Sequence, residues 1–491
     1  MHTLNTEAYM SFMNRKSKSR FTSKMINLSF VFFTVVAIVY ANESLAGFKG
    51  STKHSHNSEV YTPPGNAIIH MFNYPFSEIK DQLPVLAEIG FKYIQISPPQ
   101  LSRGDQEWYG RYQPLDYRII DGPLGNERQL KDLINQAATY QIGIIADVVL
   151  NHMAELGDSY NLVYPPLWVQ EKYHVGEVFN DSHFHPAFCI KNYEDPEEVR
   201  KGRMCRPDKN SGGLPDLDLD LPYVLNIHKK YLRKLVDLGI AGFRFDAAKH
   251  MELDYFQRLL DSDLVNGKLL FAEIIADRHN YDRDLAPYLL NTNLKLMDFP
   301  LQKTMKDAFS WGADIRYLLE GEETRASLPG ERSISFVINH DIPNNDGFNY
   351  LILDPVDERL AHIFMFARSG GVPHVYTDRG KQDRLKSNRW KDYHLKPVVS
   401  AGVKFYNLTQ AASERIIFAN HCALVIKRGV EGIATLNKCA KPINVRLKSP
   451  LNATYTDLLS DAVIGVSSGK DSITIPARNG QLFVRTVDFK N

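Results

Sequence analysis

The chain is short of several things. Its 491 residues include only four cysteines and four tryptophans, and its formal net charge is +1. Each shortage excludes something. A balanced charge gives no support to nucleic-acid binding, which needs a basic stripe. No C-x2-C spacing occurs among Cys189, Cys205, Cys422 and Cys439, which argues against a structural zinc site. The apolar run near the N-terminus, INLSFVFFTVVAIVY, has fifteen residues, against the roughly 20 that a membrane-spanning helix needs.

That run follows Arg15, Lys16, Lys18, Arg20 and Lys24 and precedes ANESLA, which ends at Ala46. A basic region, a short apolar segment and a small-residue site together read as an export signal over 1–46, with an uncleaved anchor as the alternative. The expectation is a secreted protein, extracellular or periplasmic, with no membrane attachment after processing. In an oxidising compartment the four cysteines are expected to pair locally, Cys189 with Cys205 and Cys422 with Cys439, each pair stapling a loop or hairpin.

Residues 47–64 are polar and Gly/Ser-rich and read as a flexible lead, with His54 and His56 as linker residues. From Ala67 onward short apolar runs alternate with amphipathic helical stretches. The runs AIIHMF, YIQIS, IGIIADVVLN, IAGFRFD, KLLFAE, LKLMDF, ISFVIN and VPHVYT are candidate strands. Eight strands, most of them separated by helical segments, predict an α/β fold, a (β/α)8 barrel. Almost ninety residues separate the third strand from the fourth, so 152–217 is expected to be an inserted subdomain. The barrel would then occupy 65–151 and 218–397. The short alternating runs of 398–491 predict a C-terminal all-β sandwich. No segment presents an obvious oligomer interface, and a monomer is expected.

GFRFDAAKH (242–250) places Arg244 and Asp246 on one strand face and Phe243 and Phe245 on the other. Burying a charged pair is costly unless the charges serve each other or a reaction. In a parallel barrel catalytic groups sit at the C-terminal strand ends. Asp246, Glu273 and Asp341 end the fourth, fifth and seventh strands, with His152, Arg244 and His340 at equivalent levels. Any one of these carboxylates could be a helix cap or an ion-pair partner; three together point to chemistry.

DVVLNH (147–152), GFRFDAAKH, FAEI (271–274) and FVINHD (336–341) occur in the order and at the strand ends of four short signatures of the α-amylases. The chain therefore resembles that group of retaining α-glucan-acting barrels, glycoside hydrolase family 13, over nearly its whole mature length. ISPPQ, WYGRYQP (108–114) and RMC followed by GLPDLDL are similar to the animal-type branch. The resemblance implies hydrolysis of internal α-1,4 bonds in starch, glycogen or maltooligosaccharides. Asp246 would be the nucleophile, Glu273 the acid/base and Asp341 a transition-state stabiliser. His152 and His340 would donate to sugar hydroxyls, Tyr112 would stack on a ring, and Trp108, Tyr109 and Gln113 would extend the cleft. Arg244 would orient the nucleophile; Lys249 and His250 would meet the sugar beyond the cut. For Asp147 a structural part is expected.

The same resemblance implies a Ca2+ ion held by Asn151, Asp216 and the carbonyls of Arg203 and His250. Some relatives hold chloride with two arginines and an asparagine. Arg244 and Asn339 match two of those positions, but His374 stands at the third, so no chloride dependence is expected. An exo-α-glucosidase or transglycosidase would use the same machinery. A glucan-binding protein without catalysis is a further alternative, against which stand the three carboxylates.

Overall fold

The computed structural model describes residues 66–104, 107–157, 161–206, 212–260, 263–380, 388–446, 453–464 and 472–486. The expected export signal (1–46) and lead (47–64) lie outside these residues. Among the described residues no helix is long and apolar enough to cross a membrane.

Eight parallel strands close into a barrel: β1 (Ile68–Met71), β2 (Tyr93–Ile96), β3 (Gly143–Val148), β4 (Gly242–Phe245), β5 (Leu269–Ala272), β6 (Lys295–Met297), β7 (Ser333–Phe336) and β8 (Val372–Thr377). Each strand pairs with the next in sequence, and β8 returns to β1. All eight arise from the apolar runs named above. Such runs are needed because helices cover the outer face while side chains fill the inside, leaving neither face in water. Close packing governs detail as well. A side chain at Gly242 would collide with the Leu269 carbonyl across the β4–β5 ladder.

The principal outer helices are α1 (Phe76–Ile89), α2 (Glu127–Thr139), α3 (Pro222–Leu238), α4 (Leu253–Leu260), α5 (Ala286–Asn291), α6 (Phe299–Phe309), α7 (Pro355–Ala367) and α8 (Pro397–Thr409). Local sequence sets their ends. Asn126 and Gln129 form a reciprocal capping box at the start of α2. Gly90 and Gly239 end α1 and α3 with φ of 101° and 102°, a conformation that costs glycine little. The expected boundary at 398 falls inside α8, whose buried face packs on α7 and α1. The valines of α8, Val398, Val399 and Val403, are buried, and that packing holds the segment as helix despite their modest helix propensity.

Between β3 and α3 lie a short antiparallel ladder (Val163–Tyr164 with Phe179–Asn180), two small helices and the Cys189–Cys205 disulfide. A bridge from His152 to Asp216 and a bond from Leu217 N to Asn151 O tie this segment to the chain just after β3, and a bridge from Phe184 to Leu217 closes the segment on itself. After α8 come eight strands, β9 (Glu414–Ala419), β10 (Ala423–Arg428), β11 (Gly432–Asn437), β12 (Ile443–Arg446), β13 (Tyr455–Asp457), β14 (Val463–Ile464), β15 (Ser472–Ile475) and β16 (Asn479–Arg485); six form one sheet in the order β9-β10-β11-β16-β13-β14, and β12 and β15 form a separate two-stranded ladder. The strands are antiparallel, and both sheets contribute to one core through Val425, Ile433, Val445, Ile473 and Phe483. The Cys422–Cys439 disulfide joins the two ends of the β10–β11 hairpin. Both cysteine pairings are thus the local ones.

Candidate active site

The β4–β5 register pairs Phe245 with Ala272, so the next residue on each strand, Asp246 and Glu273, leaves the barrel mouth side by side. The ladder continues through them: Asp246 N donates to Val148 O at 3.0 Å and Glu273 N to Phe245 O at 3.0 Å. Immediately after Asp246 the chain turns through Ala247 at φ 50°, a left-handed conformation that a non-glycine residue seldom adopts.

Phe243 and Phe245 face the helices and are fully buried, Phe245 edge-on to Phe256 of α4. Arg244 points into the barrel and is 1% exposed. Its Nη1 donates to Asp147 Oδ1 at 2.8 Å and to Asp246 Oδ1 at 2.5 Å. Its Nη2 lies 2.5 Å from Glu273 Oε1, a charge contact rather than an aligned hydrogen bond. One buried cation therefore serves three carboxyl groups, and the pair that posed the question in the sequence is the centre of the site.

Asp341 opens a short helix just beyond β7, and its carboxyl interacts with that of Glu273. Burial pushes the Glu273 carboxyl up to about 8, against the pull of Arg244 and with the support of Asp341 and Asp246. Burial likewise raises Asp147 and Asp341, opposed in both by Arg244. Too many carboxyls for one guanidinium means that protons stay in the cluster.

His340 stacks on Tyr112 with ring centroids 5.0 Å apart and 8° between planes, and on Phe72 at 4.9 Å. Its Nε2 lies 3.6 Å from Asp341 Oδ2. The Tyr112 hydroxyl donates to Asp147 Oδ2 at 3.0 Å. His152 Nε2 is 2.9 Å from the Tyr112 carbonyl, and its buried Nδ1 has no protein partner among the described residues. Trp108 packs near Phe72, Tyr112 and His340, while Tyr109 is 38% exposed at the rim. Gln113 is turned inward, its Oε1 accepting from Arg103 Nη1 and Glu155 N. Lys249 pairs with Asp284 at 3.0 Å, and the His250 ring bonds to the Val199 carbonyl at 3.0 Å.

A family description, "Alpha amylase, catalytic domain", matches residues 76–288. An alpha-amylase of Aeromonas hydrophila is 36% identical over 443 residues, which cover 85% of this chain and 95% of that protein. The chain belongs to the alpha-amylase family. It is a glycoside hydrolase, and its fold has solved counterparts. A mutant of alpha-amylase I from Eisenia fetida, in complex with maltohexaose, superposes with a TM-score of 0.68 at 21% identity, covering 87% of this chain and 96% of that one. CldA, a cyclomaltodextrin glucanotransferase, gives 0.69 at 18% identity, covering 86% of this chain and 100% of that one. These two show the fold alone.

The residues assigned to Ca2+ offer hard oxygen donors. Asn151 Nδ2 donates to Asp216 Oδ1 at 2.9 Å, while Asn151 Oδ1 is buried and has no partner among the described residues. Asp216 is 1% exposed; burial pushes its carboxyl up to about 7, against the His185 ring at 2.7 Å. An orphaned amide oxygen beside a buried acid suits a divalent cation. Arg203 is bridged to Cys189, and the helix Pro196–Lys201 packs on the turn that carries His250, so the inserted segment and the strand-four loop meet there.

Three residues of the site escaped the sequence. His70 of β1 lies edge-on to His340 at 5.4 Å, Phe72 stacks on that same histidine, and Gln95 of β2 hydrogen-bonds to Asp147. A polar residue within an otherwise apolar strand is the signal that could have found His70 and Gln95.

Proposed function

We propose that the enzyme is an exported, endo-acting α-amylase that cleaves α-1,4-glucosidic bonds with retention of configuration. The observation that carries this reading is the single Arg244 guanidinium holding both Asp246 and Glu273. Two carboxyls gathered on one cation suit the compact spacing of retaining hydrolysis, about 5–5.5 Å, better than the wider one, about 6.5–9.5 Å, that admits a water in inverting enzymes.

Asp246 attacks the anomeric carbon while Glu273, protonated at neutral pH, gives its proton to the departing glycosidic oxygen. A covalent glycosyl–Asp246 ester results. Glu273, now a carboxylate, takes a proton from water as that water attacks the same carbon, and Asp246 leaves. Asp341 and His340 hold hydroxyls of the sugar being distorted, His152 offers its free ring nitrogen to the same sugar, and Trp108 and Tyr109 line the approach. Lys249 and His250 stand on the loop beyond the nucleophile, toward the leaving chain. Asn151, Asp216 and the carbonyls of Arg203 and His250 would hold Ca2+, which when bound supplies charge compensation for Asp216 and fixes the inserted segment to the barrel.

The relative from Eisenia fetida was solved with maltohexaose, which supports a maltooligosaccharide substrate. Reducing-sugar release from soluble starch, with the product lengths followed over time, tests the endo reading. Early products of mixed length are expected; glucose or maltose alone from the start would favour an exo-acting enzyme, and products longer than the substrate a transglycosidase.

A further inference from the structure

Beneath the catalytic carboxyls runs a line of buried side chains to which the mechanism assigns no part. His374 of β8 and Gln95 of β2 are each 1% exposed, and Asp147 of β3 is fully buried. His374 Nε2 lies 2.8 Å from Gln95 Oε1, and Gln95 Nε2 lies 3.3 Å from Asp147 Oδ2. Asp147 Oδ1 then accepts from Arg244 Nη1, the same nitrogen that donates to Asp246. The contacts form one chain across the barrel interior from β8 to the nucleophile.

Chemistry fixes the direction of every link. Asp147 already accepts from Arg244 at Oδ1 and from the Tyr112 hydroxyl at Oδ2, so it serves as an acceptor here, and Gln95 turns its amide NH2 toward it and its oxygen toward His374. The imidazole must then carry its proton on Nε2; its Nδ1 has no partner among the described residues. A Gln95 amide flipped the other way would set an oxygen against the Asp147 carboxylate.

We propose that His374 and Gln95 are positioning residues of the hydrolysis: His374 locks the Gln95 amide, which holds Asp147, which in turn fixes the Arg244 guanidinium under Asp246. The proposal rests on Asp246 being the nucleophile. Losing the lock lets Asp147 and Arg244 shift, and the nucleophile with them; the Tyr112 hydroxyl also donates to Asp147, but its ring is held in place by the stack on His340. The effect therefore belongs in kcat rather than KM.

The test is a double-mutant cycle on a defined maltoheptaose substrate, with folding followed by circular dichroism. His374→Leu and Gln95→Met are each expected to lower kcat by about tenfold or more, inside the hundredfold that a 1 Å misplacement can cost, with KM little changed. Their double variant should be no slower than Gln95→Met alone, because both act through one contact. His374→Gln, which keeps an N–H donor, should recover most of the loss. Folded single variants with parental kcat, or losses that multiply in the double variant, would overturn the proposal. If His374→Leu does not fold, the near-isosteric Gln95→Met decides by the same kcat criterion. Asp246→Asn run alongside separates the two levels: activity retained there refutes the nucleophile itself, whatever the His374 variants do.

Discussion

Glu273 sits at the point where stability and activity pull apart. Its carboxyl is buried at 6% exposure and raised to about 8, from an ordinary value of 4.5. Between those two pH values the folded protein binds a proton that the unfolded chain releases, so this group's contribution to stability declines as pH rises through that window. Glu273→Gln removes the titration. Its thermal midpoint should exceed the parent's by more at pH 8 than at pH 4.5, while kcat falls by about 10²–10⁴-fold. Parallel melting curves at both pH values would contradict the burial argument. The same raised acid predicts that the parental rate falls off on the alkaline side as Glu273 loses its proton near pH 8, read from a kcat/KM–pH profile. His374 bears on anion dependence. Burial drives its ring down to about 3, so it is neutral, and Arg244 already faces three carboxyls. Removal of chloride should leave the rate unchanged.

At the scale of elements, the inserted segment between β3 and α3 is held by the Cys189–Cys205 disulfide and by Asn151 and Asp216. A bond closing a loop of this length contributes on the order of 3 kcal/mol. Replacing both cysteines with serine should lower denaturant stability by that order. Added Ca2+ should raise the melting temperature of the parent by mass action, and Asp216→Asn should abolish that rise. The elements themselves were largely legible. The eight strands could be read because strands buried on both faces must be continuous apolar runs, and Asp246, Glu273 and Asp341 because charge at the end of such a run needs a reason. His70 and Gln95 were not legible, because a single polar residue inside a strand is usually a satisfied core residue. What recruits them is a partner on another strand, His340 for one and Asp147 for the other. The expected boundary at 398 cut into α8 because the alternation that marks the β region says nothing of a helix just ahead of it, and contact with α7 and α1 holds that helix to the barrel.

Across the whole molecule, the barrel and the C-terminal sheet are joined by two buried cations. Arg428 of β10 spends its guanidinium on backbone carbonyls alone: Ala367 and Arg368 at the end of α7, Thr409 at the end of α8, and Ala412 beyond it. They lie at or just past helix C-termini, where few backbone N–H groups are on offer and a cation suits the helix dipole. Lys438 does the same for Ala308 in the last turn of α6 and for Ser310 and Ala313 just beyond it. Arg428→Met keeps the stem and removes the donors. It should cost on the order of 3 kcal/mol through the stranded carbonyls, seen as a lower denaturant midpoint with kcat intact in the folded fraction. The sheet thereby acts as a brace for the helices that support the barrel, far from Asp246.

The central claim is that Asp246 and Glu273, gathered on Arg244, carry out a double displacement. Proton NMR of the first anomer released from maltoheptaose tests it most directly. The α-anomer must appear first and mutarotate to the equilibrium mixture. A first-formed β-anomer would mean a single displacement by water, and would contradict the account.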